Sequence, residues 1–355
     1  MDALNDQATF SDIDMMEQLR DWAEDSLNKL VWKRAQIQDD MWQPLSGDAG
    51  FRQYVRIATK DEAYIAVFSP PNKEKNDEFI SIDEYLRENG VHVPKILSVD
   101  KSNGFMLLED LGRTLYLDHL NKDSVELLYG EALMALLNLQ QVPKKIRIFP
   151  PYNRKALWEE MCLFSDWFLP KLLGYQVDDK ELKLIQDMFE SLTISATSLP
   201  QVIVHRDYHS RNIVYGHEGT PGIIDFQDAV IGPITYDLVS LLRDCYVKWP
   251  EADVERWAVA YAGLAVDAGV IEEVSRDQFL KWFDYMGLQR HIKVLGIFAR
   301  LSLRDGKHGY LDDLPLVIEY VRSVASKYPE FAPFVRWFDH KLMPIIQKQA
   351  WMKNS

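Results

Sequence analysis

Hydrophobic positions in the first part of the chain change their period several times. Between residues 11 and 32 they recur on one face of a helix, whereas Phe51 to Thr59 alternates apolar and polar side chains as a half-buried strand does. Short β-rich runs and a second helical pattern follow. The predicted elements after the first helix are strands at 51–59, 64–68, 95–99 and 105–108 and a helix at 77–89. This pattern predicts a small, mostly antiparallel β lobe.

From Thr114 onward the pattern is mainly helical. The exception is the stretch 202–226, where two short apolar runs flank polar loops. The predicted helices are 123–140, 153–170, 180–196, 236–247, 252–268, 277–304, 313–327 and 333–347. We therefore predict an α+β protein in which a β lobe is followed by a larger, mainly helical lobe.

Composition excludes several classes of protein. The chain has 355 residues, 47% of them hydrophobic, and a net charge of -14, which argues against disorder and against binding to nucleic-acid phosphates. Its two cysteines are too few for a disulfide framework. We see neither a secretory leader pattern nor an apolar run of the roughly 20 residues that span a bilayer. We expect a soluble, cytoplasmic protein with no nucleic-acid, membrane or protein partner.

The strongest chemical signal is the segment His205-Arg206-Asp207-Tyr208-His209-Ser210-Arg211-Asn212. Asp207 and Asn212 have the spacing of the catalytic loop of kinases, on a loop after an apolar strand. The Asp would accept or orient the proton of the attacking hydroxyl, and the Asn would hold Mg²⁺ on the phosphates of ATP. Asp225 follows a second apolar strand and precedes Phe, as a metal-binding Asp does. The alternative is a loop of solvated Asp and Asn residues.

These motifs, after a β lobe and within a helical region, indicate a two-lobed protein-kinase-like fold. Residues 1–112 would form the N-terminal lobe, with the leading helix, a Gly-rich loop and the hinge. Residues 113–355 would form the helical C-terminal lobe, with the catalytic loop and the acceptor site.

Two segments of the first lobe are candidates for binding the nucleotide. A Gly-rich stretch just before the alternating strand would let backbone N–H groups approach phosphate oxygens, although a hairpin turn is an equal alternative. At the hinge, backbone groups of Glu109 and Leu111 would read the adenine edge, although a plain linker is also compatible. The candidates in the Gly-rich stretch are Ser46, Gly47, Ala49, Gly50 and Arg52.

One expected part is missing. The strand at 64–68 has no Lys to pair with the nucleotide phosphates, because its last positions are Val67 and Phe68. Lys73 and Lys75 follow in a polar loop, and Arg52 and Arg56 lie on the preceding strand. Among these we favour Arg52 as the substitute cation, with Asp77 or Glu78 at the start of the next helix as the partner acid. The gap also leaves open a non-catalytic, nucleotide-binding pseudokinase.

Further polar residues surround the catalytic motif. Asp237 begins a helix, where it would brace the catalytic loop together with His205, without contacting substrate. His209 and Arg211 flank the base and would contact the acceptor. A stripe of Arg290, Lys293, Arg300 and Arg304 lies on one side of a predicted helix. It is either a solvated basic face or a cationic wall for an anionic acceptor.

The segments HRDYHSRN, IDFQDA, GPITYDLVSLLRD and QRHIKVLGIFARLSLRDGKHGYL resemble the aminoglycoside phosphotransferase superfamily. More narrowly, they resemble the bacterial anomeric sugar kinases that phosphorylate N-acetylmuramate and N-acetylglucosamine at C1 in cell-wall recycling. The resemblance runs from about Ser46 to Tyr310. The superfamily usually has H-G-D-x-H-x-x-N in the loop, so Arg206 replaces a Gly.

The resemblance implies an ATP- and Mg²⁺-dependent kinase with Asp207 as base and with Asn212 and Asp225 as metal ligands. The acceptor would be an N-acetyl amino sugar, and Arg290 and Arg300 would contact an anionic group on it. A kinase of aminoglycosides or of other small amines or alcohols is the enzyme alternative. The third hypothesis is a non-catalytic, nucleotide-binding module.

Overall fold

The computed structural model describes residues 10–31, 37–45, 50–59, 62–216 and 220–352. The first part of the chain forms a five-stranded antiparallel sheet in the order β1-β2-β3-β5-β4. Its elements are α1 (Phe10–Val31), β1 (Trp42–Leu45), β2 (Gln53–Ala58), β3 (Ala63–Phe68), α2 (Asn76–Glu88), β4 (Ile96–Asp100) and β5 (Phe105–Glu109). Each predicted strand and helix of this region is confirmed to within about two residues at either end, and β1, which has no alternating pattern, was missed.

Helix α1 covers one face of this sheet. Its apolar residues Leu19, Ala23 and Leu27 are buried against Ile57 and Leu107 of the strands. The period of 3.6 residues on the helix and of two on the strands brings both apolar faces together. The buried faces of α1 and of these strands therefore follow from the sequence pattern.

Beyond β5 the structure is mainly helical, as predicted. The strands are β6 (Thr114–Leu115), β7 (Gln201–Val204), β8 (Ile213–Tyr215), β9 (Pro221–Ile223) and β10 (Val230–Pro233). The helices are α3 (Tyr116–His119), α4 (Val125–Gln141), α5 (Arg154–Leu163), α6 (Asp179–Ser198), α7 (Thr235–Leu242), α8 (Glu251–Asp267), α9 (Arg276–Asp305), α10 (Leu314–Ser326), α11 (Ala332–Trp337) and α12 (Met343–Ile346).

The chain divides into two compact units. The first unit comprises the described residues up to Thr114 together with Val214–Gln227, and the second comprises Leu115–Ile213 and the residues from Asp228 onward. The predicted boundary at residue 112 lies close to the first division. The described residues of 214–227, which we predicted in the C-terminal lobe, are grouped with the first unit. Strand β9 lies there, and the Ile223 amide donates to the His92 carbonyl at 2.9 Å.

Three predicted helices differ in detail. The helix predicted at 153–170 continues beyond α5 as a π-helical stretch, Phe164–Leu172, that contains Pro170, and a second π-helical stretch, Phe338–Leu342, joins α11 to α12. Proline lacks the N–H that an α-helix needs, which disturbs the hydrogen-bond ladder. The helix predicted at 236–247 ends at Leu242, because the chain turns there to place Asp244 under the catalytic loop.

Helix α9 is the central element of the second unit. It is 30 residues long, and α5, α6, α7, α10 and the stretch Phe164–Leu172 pack around it. A Cβ added at Gly296 would lie 2.2 Å from the carbonyl carbon of Leu163, so a glycine is needed for this close approach. Among the described residues, no helix has both the length and the hydrophobicity to cross a bilayer.

Candidate active site

The catalytic loop begins where β7 ends, and its first residues are held by buried polar contacts. The Asp237 carboxylate, at the start of α7, accepts the backbone N–H groups of His205 at 2.7 Å and of Arg206 at 3.0 Å. The Nδ1 atom of His205 accepts the backbone N–H of Asp207 at 3.2 Å. Burial raises the pKa of Asp237 to about 6, although His205 and the two amides oppose the shift. Asp237 and His205 thus orient the backbone that carries Asp207.

Arg206 has a left-handed backbone conformation, with a φ of 80°. A side chain with a Cβ is disfavoured there, which explains why glycine is usual at this place in the H-G-D pattern. The Arg206 guanidinium forms an ion pair with Glu160 of α5. Arg206 therefore has an ion-pair partner that a glycine could not use.

The rest of the loop is fixed from several sides. The Tyr208 hydroxyl donates to the Ala132 carbonyl at 2.7 Å, and the Ser210 amide and hydroxyl both donate to Asp244. The Asn212 side-chain Nδ2 donates to the Asp207 carbonyl at 3.0 Å. This contact sets the orientation of the amide and leaves its Oδ1, a suitable metal ligand, pointing away from that carbonyl.

Positive charges surround Asp207. Burial alone would raise the pKa of this carboxyl group, but Lys293, His209, Arg206 and Arg290 outweigh it and hold the pKa below its usual value. The side chain is therefore ionised at neutral pH. An ionised carboxylate can accept a proton or orient a hydroxyl group.

A glutamate that the sequence did not predict pairs with two of these cations. Glu160 of α5 accepts from Arg206 and from the Tyr152 hydroxyl, and its Oε2 lies 3.1 Å from the Lys293 ammonium. Lys293 also donates to the Tyr236 hydroxyl at 2.9 Å. Glu160 carries no motif signal, because it is more than 40 residues from the loop in sequence.

The predicted acceptor contacts fall into two groups. Near Asp207, the Arg211 guanidinium lies 3.6 Å from the centre of the Tyr246 ring, His209 contacts the same ring edge-on, and Arg290 approaches the Cys245 sulfur at 3.7 Å. Arg290 is 4% exposed and interacts with Asp207 and Asp244. Arg300, in contrast, interacts with Arg304 and Asp305 near the end of α9. The structure brings together His209, Arg211 and Arg290, and it does not bring Arg300 to this group.

In the first unit, Asp225 follows β9 in a strained conformation. Its φ is 66°, and its carboxylate accepts from the Gln227 side chain at 2.7 Å. Asp tolerates left-handed backbone better than most residues, and such strain is common at functional sites. Phe226 is buried and stacks on Phe79 of α2 at 5.1 Å, which anchors the turn. The exposed carboxylate of Asp225 is a hard oxygen ligand that suits Mg²⁺.

The hinge residues are clamped by an arginine of β2. The Asp110 carboxylate accepts from Arg56 Nε at 2.6 Å, and Arg56 Nη2 also donates to the Gly112 carbonyl at 2.6 Å. Glu109 pairs with Lys95 through backbone and side chain. Leu111 packs over Gly222, where an added Cβ would lie 2.6 Å from a Leu111 methyl group. The backbone groups predicted to read a base are thus held in one conformation.

Of the predicted Gly-rich segment, Ser46, Gly47 and Ala49 lie outside the described residues, while Gly50 and Arg52 are described. Arg52 is 8% exposed and pairs with Glu74, at 3.6 Å between Nη2 and Oε2. Asp77 pairs instead with Lys101, and Glu78 is exposed. The acid beside Arg52 is therefore Glu74. It precedes helix α2, whereas we predicted the partner acid at Asp77 or Glu78, at the start of that helix.

The amino-acid sequence is similar to those of known phosphotransferases. The model of a family described as "Phosphotransferase enzyme family" matches residues 41–270. A protein of Pseudomonas putida named N-acetylmuramate/N-acetylglucosamine kinase is 38% identical over 89% of this chain and 94% of its own length. One of the same name from Pseudomonas aeruginosa is 41% identical over 81% of this chain and 85% of its own length.

The fold also resembles that of a solved phosphotransferase. An ADP-bound aminoglycoside phosphotransferase superposes with a TM-score of 0.56, at 14% identity, over 87% of this chain and 97% of that one. At this identity the likeness concerns the fold alone. It confirms the α+β, protein-kinase-like fold that the sequence predicts.

Proposed function

The chain belongs to the phosphotransferase enzyme family, and from that premise we propose that it is a kinase that transfers the γ-phosphoryl group of ATP to the anomeric hydroxyl of an N-acetyl amino sugar. The acceptor is N-acetylmuramate, N-acetylglucosamine or both, in peptidoglycan recycling in the cytoplasm, where ATP is available. One observation carries the proposal: the chain keeps an ionised, braced Asp207 in its catalytic loop while being 38–41% identical to two kinases of these sugars.

Asp207 is the base in this proposal. The anomeric hydroxyl is more acidic than the other hydroxyls of a sugar, so a carboxylate is a sufficient partner. The lowered pKa of Asp207 keeps this carboxylate in the ionised form that can accept a proton. Phosphoryl transfer through a loose transition state depends mainly on positioning and on electrostatic stabilisation. Asp207 therefore orients the C1 oxygen toward the γ-phosphorus and receives its proton as the C1 O–P bond forms and the bond from that phosphorus to the ADP oxygen breaks, which releases ADP.

Asn212 and Asp225 would hold Mg²⁺ through their oxygen atoms. The Asn212 amide is oriented by its contact with the Asp207 carbonyl, and Asp225 offers an exposed carboxylate. When bound, the ion neutralises charge on the β- and γ-phosphates.

His209, Arg211 and Arg290 are the proposed acceptor contacts. The Nδ1 atom of His209 is buried and has no hydrogen-bond partner among the described residues, so it suits a sugar oxygen or amide. Arg290 lies near the base and would face a carboxylate on the acceptor, whereas Arg300 supports the proposal less, because it lies farther along α9.

ATP consumption across an acceptor panel tests the proposal. The panel contains N-acetylmuramate, N-acetylglucosamine, 1-O-methyl-N-acetylglucosamine, an aminoglycoside and choline, each with Mg²⁺. We expect turnover with one or both reducing sugars, none with the 1-blocked sugar, and a 1-phosphate product by ³¹P NMR. Asp207→Asn is expected to lower turnover by about 10²–10⁴-fold while ATP still binds, since general-base positioning has that magnitude.

Other outcomes would contradict the proposal in distinguishable ways. Turnover with the aminoglycoside or choline alone would show a kinase of a different acceptor. Nucleotide binding without turnover on any acceptor would show a non-catalytic module. Near-normal turnover by folded Asp207→Asn would remove Asp207 from the role of base.

A further inference from the structure

Strand β3 contains no basic side chain, although a bound nucleotide triphosphate needs a cation nearby. Its sequence is AYIAVF, and Val67 is only 1% exposed, in the hydrophobic interior. In the described part of the first unit, one basic residue is buried, and it is Arg52, which directly precedes β2.

Two contacts fix the Arg52 guanidinium, one at its edge and one at its face. Its Nε donates to the Ser69 hydroxyl at 3.1 Å, and Ser69 is held in turn by the side chain of Asn76. Its Cζ lies 4.9 Å from the centre of the Phe79 ring, within cation–π range. Phe79 also stacks on Phe226, the residue after Asp225. The same aromatic ring thus supports both Arg52 and the turn that carries Asp225.

One nitrogen of this guanidinium still lacks an acceptor. Within the described residues, the buried Nη2 atom makes no hydrogen bond, and the Glu74 carboxylate, at 3.6 Å, is too far to accept one. A buried donor without a partner is unfavourable, so such atoms are rare in folded proteins. An orphaned arginine donor on a rigid support is the arrangement that binds a phosphate oxygen.

Tyr54 locates this donor relative to the candidate metal ligand. Burial raises the pKa of the Tyr54 hydroxyl. Arg52 opposes this shift through its charge and a side-chain hydrogen bond, whereas Asp225 and Glu74 add to it. Arg52 and Asp225 therefore lie in one neighbourhood of the first unit. A phosphate group in this neighbourhood would lie near the Arg52 guanidinium and near the carboxylate of Asp225, the proposed metal ligand.

Glu74 connects Arg52 to the Gly-rich segment. Its Oε1 accepts the backbone N–H of Phe51 at 2.8 Å and would lie 3.2 Å from a Cβ added at Gly50. The other oxygen faces Arg52. One carboxylate thus fixes both the end of the glycine segment and the arginine that follows it.

We propose that Arg52 and Glu74 together replace the missing strand lysine and its acid partner: Arg52 binds a phosphate group of the nucleotide, and Glu74 is the positioning residue that aims it. This inference deepens the proposed function and rests on its use of ATP. The phosphate contact comes from the start of β2 and not from β3, so the absence of a lysine from β3 is compatible with catalysis.

The test compares nucleotides with and without phosphates. Isothermal calorimetry measures a non-hydrolysable Mg·ATP analogue and adenosine on wild type, Arg52→Met, Arg52→Lys and Glu74→Gln. We expect Arg52→Met to weaken triphosphate binding roughly 10- to 100-fold, the range for a hydrogen bond to a charged group, and to leave adenosine binding unchanged. Arg52→Lys is expected to recover part of the loss, and Glu74→Gln to raise the KM for ATP with a smaller effect on kcat.

Matched controls use the neighbouring ion pair. Asp77→Asn and Lys101→Met change the same charges at an exposed pair of the same unit, and we expect neither to alter triphosphate binding. Unchanged triphosphate affinity in folded Arg52→Met would overturn the inference, as would an equal loss for adenosine. If Arg52→Met does not fold, wild-type binding and KM in both Arg52→Lys and Glu74→Gln would overturn it. Failure of the proposed function is distinct, because it appears in wild type as a lack of ATP turnover.

Discussion

Two residues with side chains, Arg206 and Asp225, have left-handed backbone conformations, with φ of 80° and 66°. For an ordinary L-residue this conformation costs about 1–2 kcal/mol. Arg206 directly precedes the proposed base, and Asp225 is a proposed metal ligand. Strain of this kind persists only where surrounding contacts over-determine the backbone, as Asp237 and Glu160 do for Arg206.

Substitutions at Arg206 separate this backbone strain from the loss of its side chain. Both Arg206→Gly and Arg206→Ala remove the ion pair with Glu160, but only the alanine variant keeps a Cβ at positive φ. We expect Arg206→Ala to be less stable than Arg206→Gly by about 1 kcal/mol in chemical denaturation.

A control in a right-handed helix should show the opposite order. At the exposed Ser191 of α6 we expect glycine to be the less stable variant, by about 0.5–1 kcal/mol. If alanine were also the more stable residue at position 206, the backbone would not be strained there in solution.

At the scale of the element, α9 shows why a stripe of like charges on a helix need not be one site. Arg290, Lys293, Arg300 and Arg304 share a side, but Arg290 and Lys293 are buried, whereas Arg304 is exposed. At a rise of 1.5 Å per residue, Arg290 and Arg300 are about 15 Å apart along the axis. A single carboxylate cannot contact both.

The two arginines are therefore expected to differ as acceptor contacts. We predict that Arg290→Ala lowers kcat/KM for N-acetylmuramate roughly 10- to 100-fold, because it removes a charge-assisted contact to the lactyl carboxylate, and lowers it less for N-acetylglucosamine. Arg300→Ala should stay within about twofold of wild type on both sugars. Steady-state kinetics on the two sugars, with thermal melts to verify folding, check this. Equal small effects of both variants would mean that α9 has only a structural role.

Helix α2 carries a buried acid that makes stability depend on pH. Burial raises the pKa of Asp83 to about 7, with Arg87 opposing the shift and Glu84 and Glu109 adding to it. The folded state thus binds a proton that the unfolded chain releases near pH 3.8. The resulting stability is complete below about pH 4 and is lost as pH rises through about 7.

An Asp83→Asn variant should lose this dependence. We expect its Tm relative to wild type to become steadily more favourable as pH rises from about 5 to 8, because the amide cannot ionise. The exposed Asp77→Asn on the same helix should show no such trend. Parallel Tm–pH curves for Asp83→Asn and wild type would refute a protonated Asp83.

At the scale of the whole molecule, the proposed chemistry draws on both units. Asp207 and Asn212 belong to the second unit, whereas Asp225, Arg52 and the hinge belong to the first. The net charge of -14 makes a bound cation all the more necessary for a polyanionic nucleotide. The proposed kinase therefore requires Mg²⁺ to bind ATP.

Removing one proposed Mg²⁺ ligand should abolish the contribution of Mg²⁺ to ATP binding. We predict that Asp225→Ala loses Mg²⁺-dependent nucleotide binding, so that the affinity for ATP becomes the same with Mg²⁺ and with EDTA. Asp228→Ala, three residues away and also exposed, should retain the dependence on Mg²⁺. Unchanged Mg·ATP affinity and continued activity in Asp225→Ala would exclude Asp225 as a ligand.

The sequence alone determined the features that depend on residues close together along the chain, namely the secondary-structure elements and the spacing of the motif residues. The alternation of residues 51–59 and the helical period of 277–304 predicted β2 and α9, because each element buries one face and the period states which. The spacing of Asp207, Asn212 and Asp225 indicated phosphoryl transfer. Asp207 and Asn212 lie five residues apart on one loop, so their proximity follows from the sequence alone. The missing lysine of β3 was also visible in sequence.

Tertiary structure alone decided which distant residues meet. Glu160 beside Arg206, Asp244 beneath Ser210 and Glu74 beside Arg52 carry no local signal, because each is brought into contact by the packing of separate elements. The same holds for the described residues of 214–227, which we predicted in the C-terminal lobe but which are grouped with the first unit. A period records which face of an element is buried, but the partner on the other side of that face depends on the path of the entire chain.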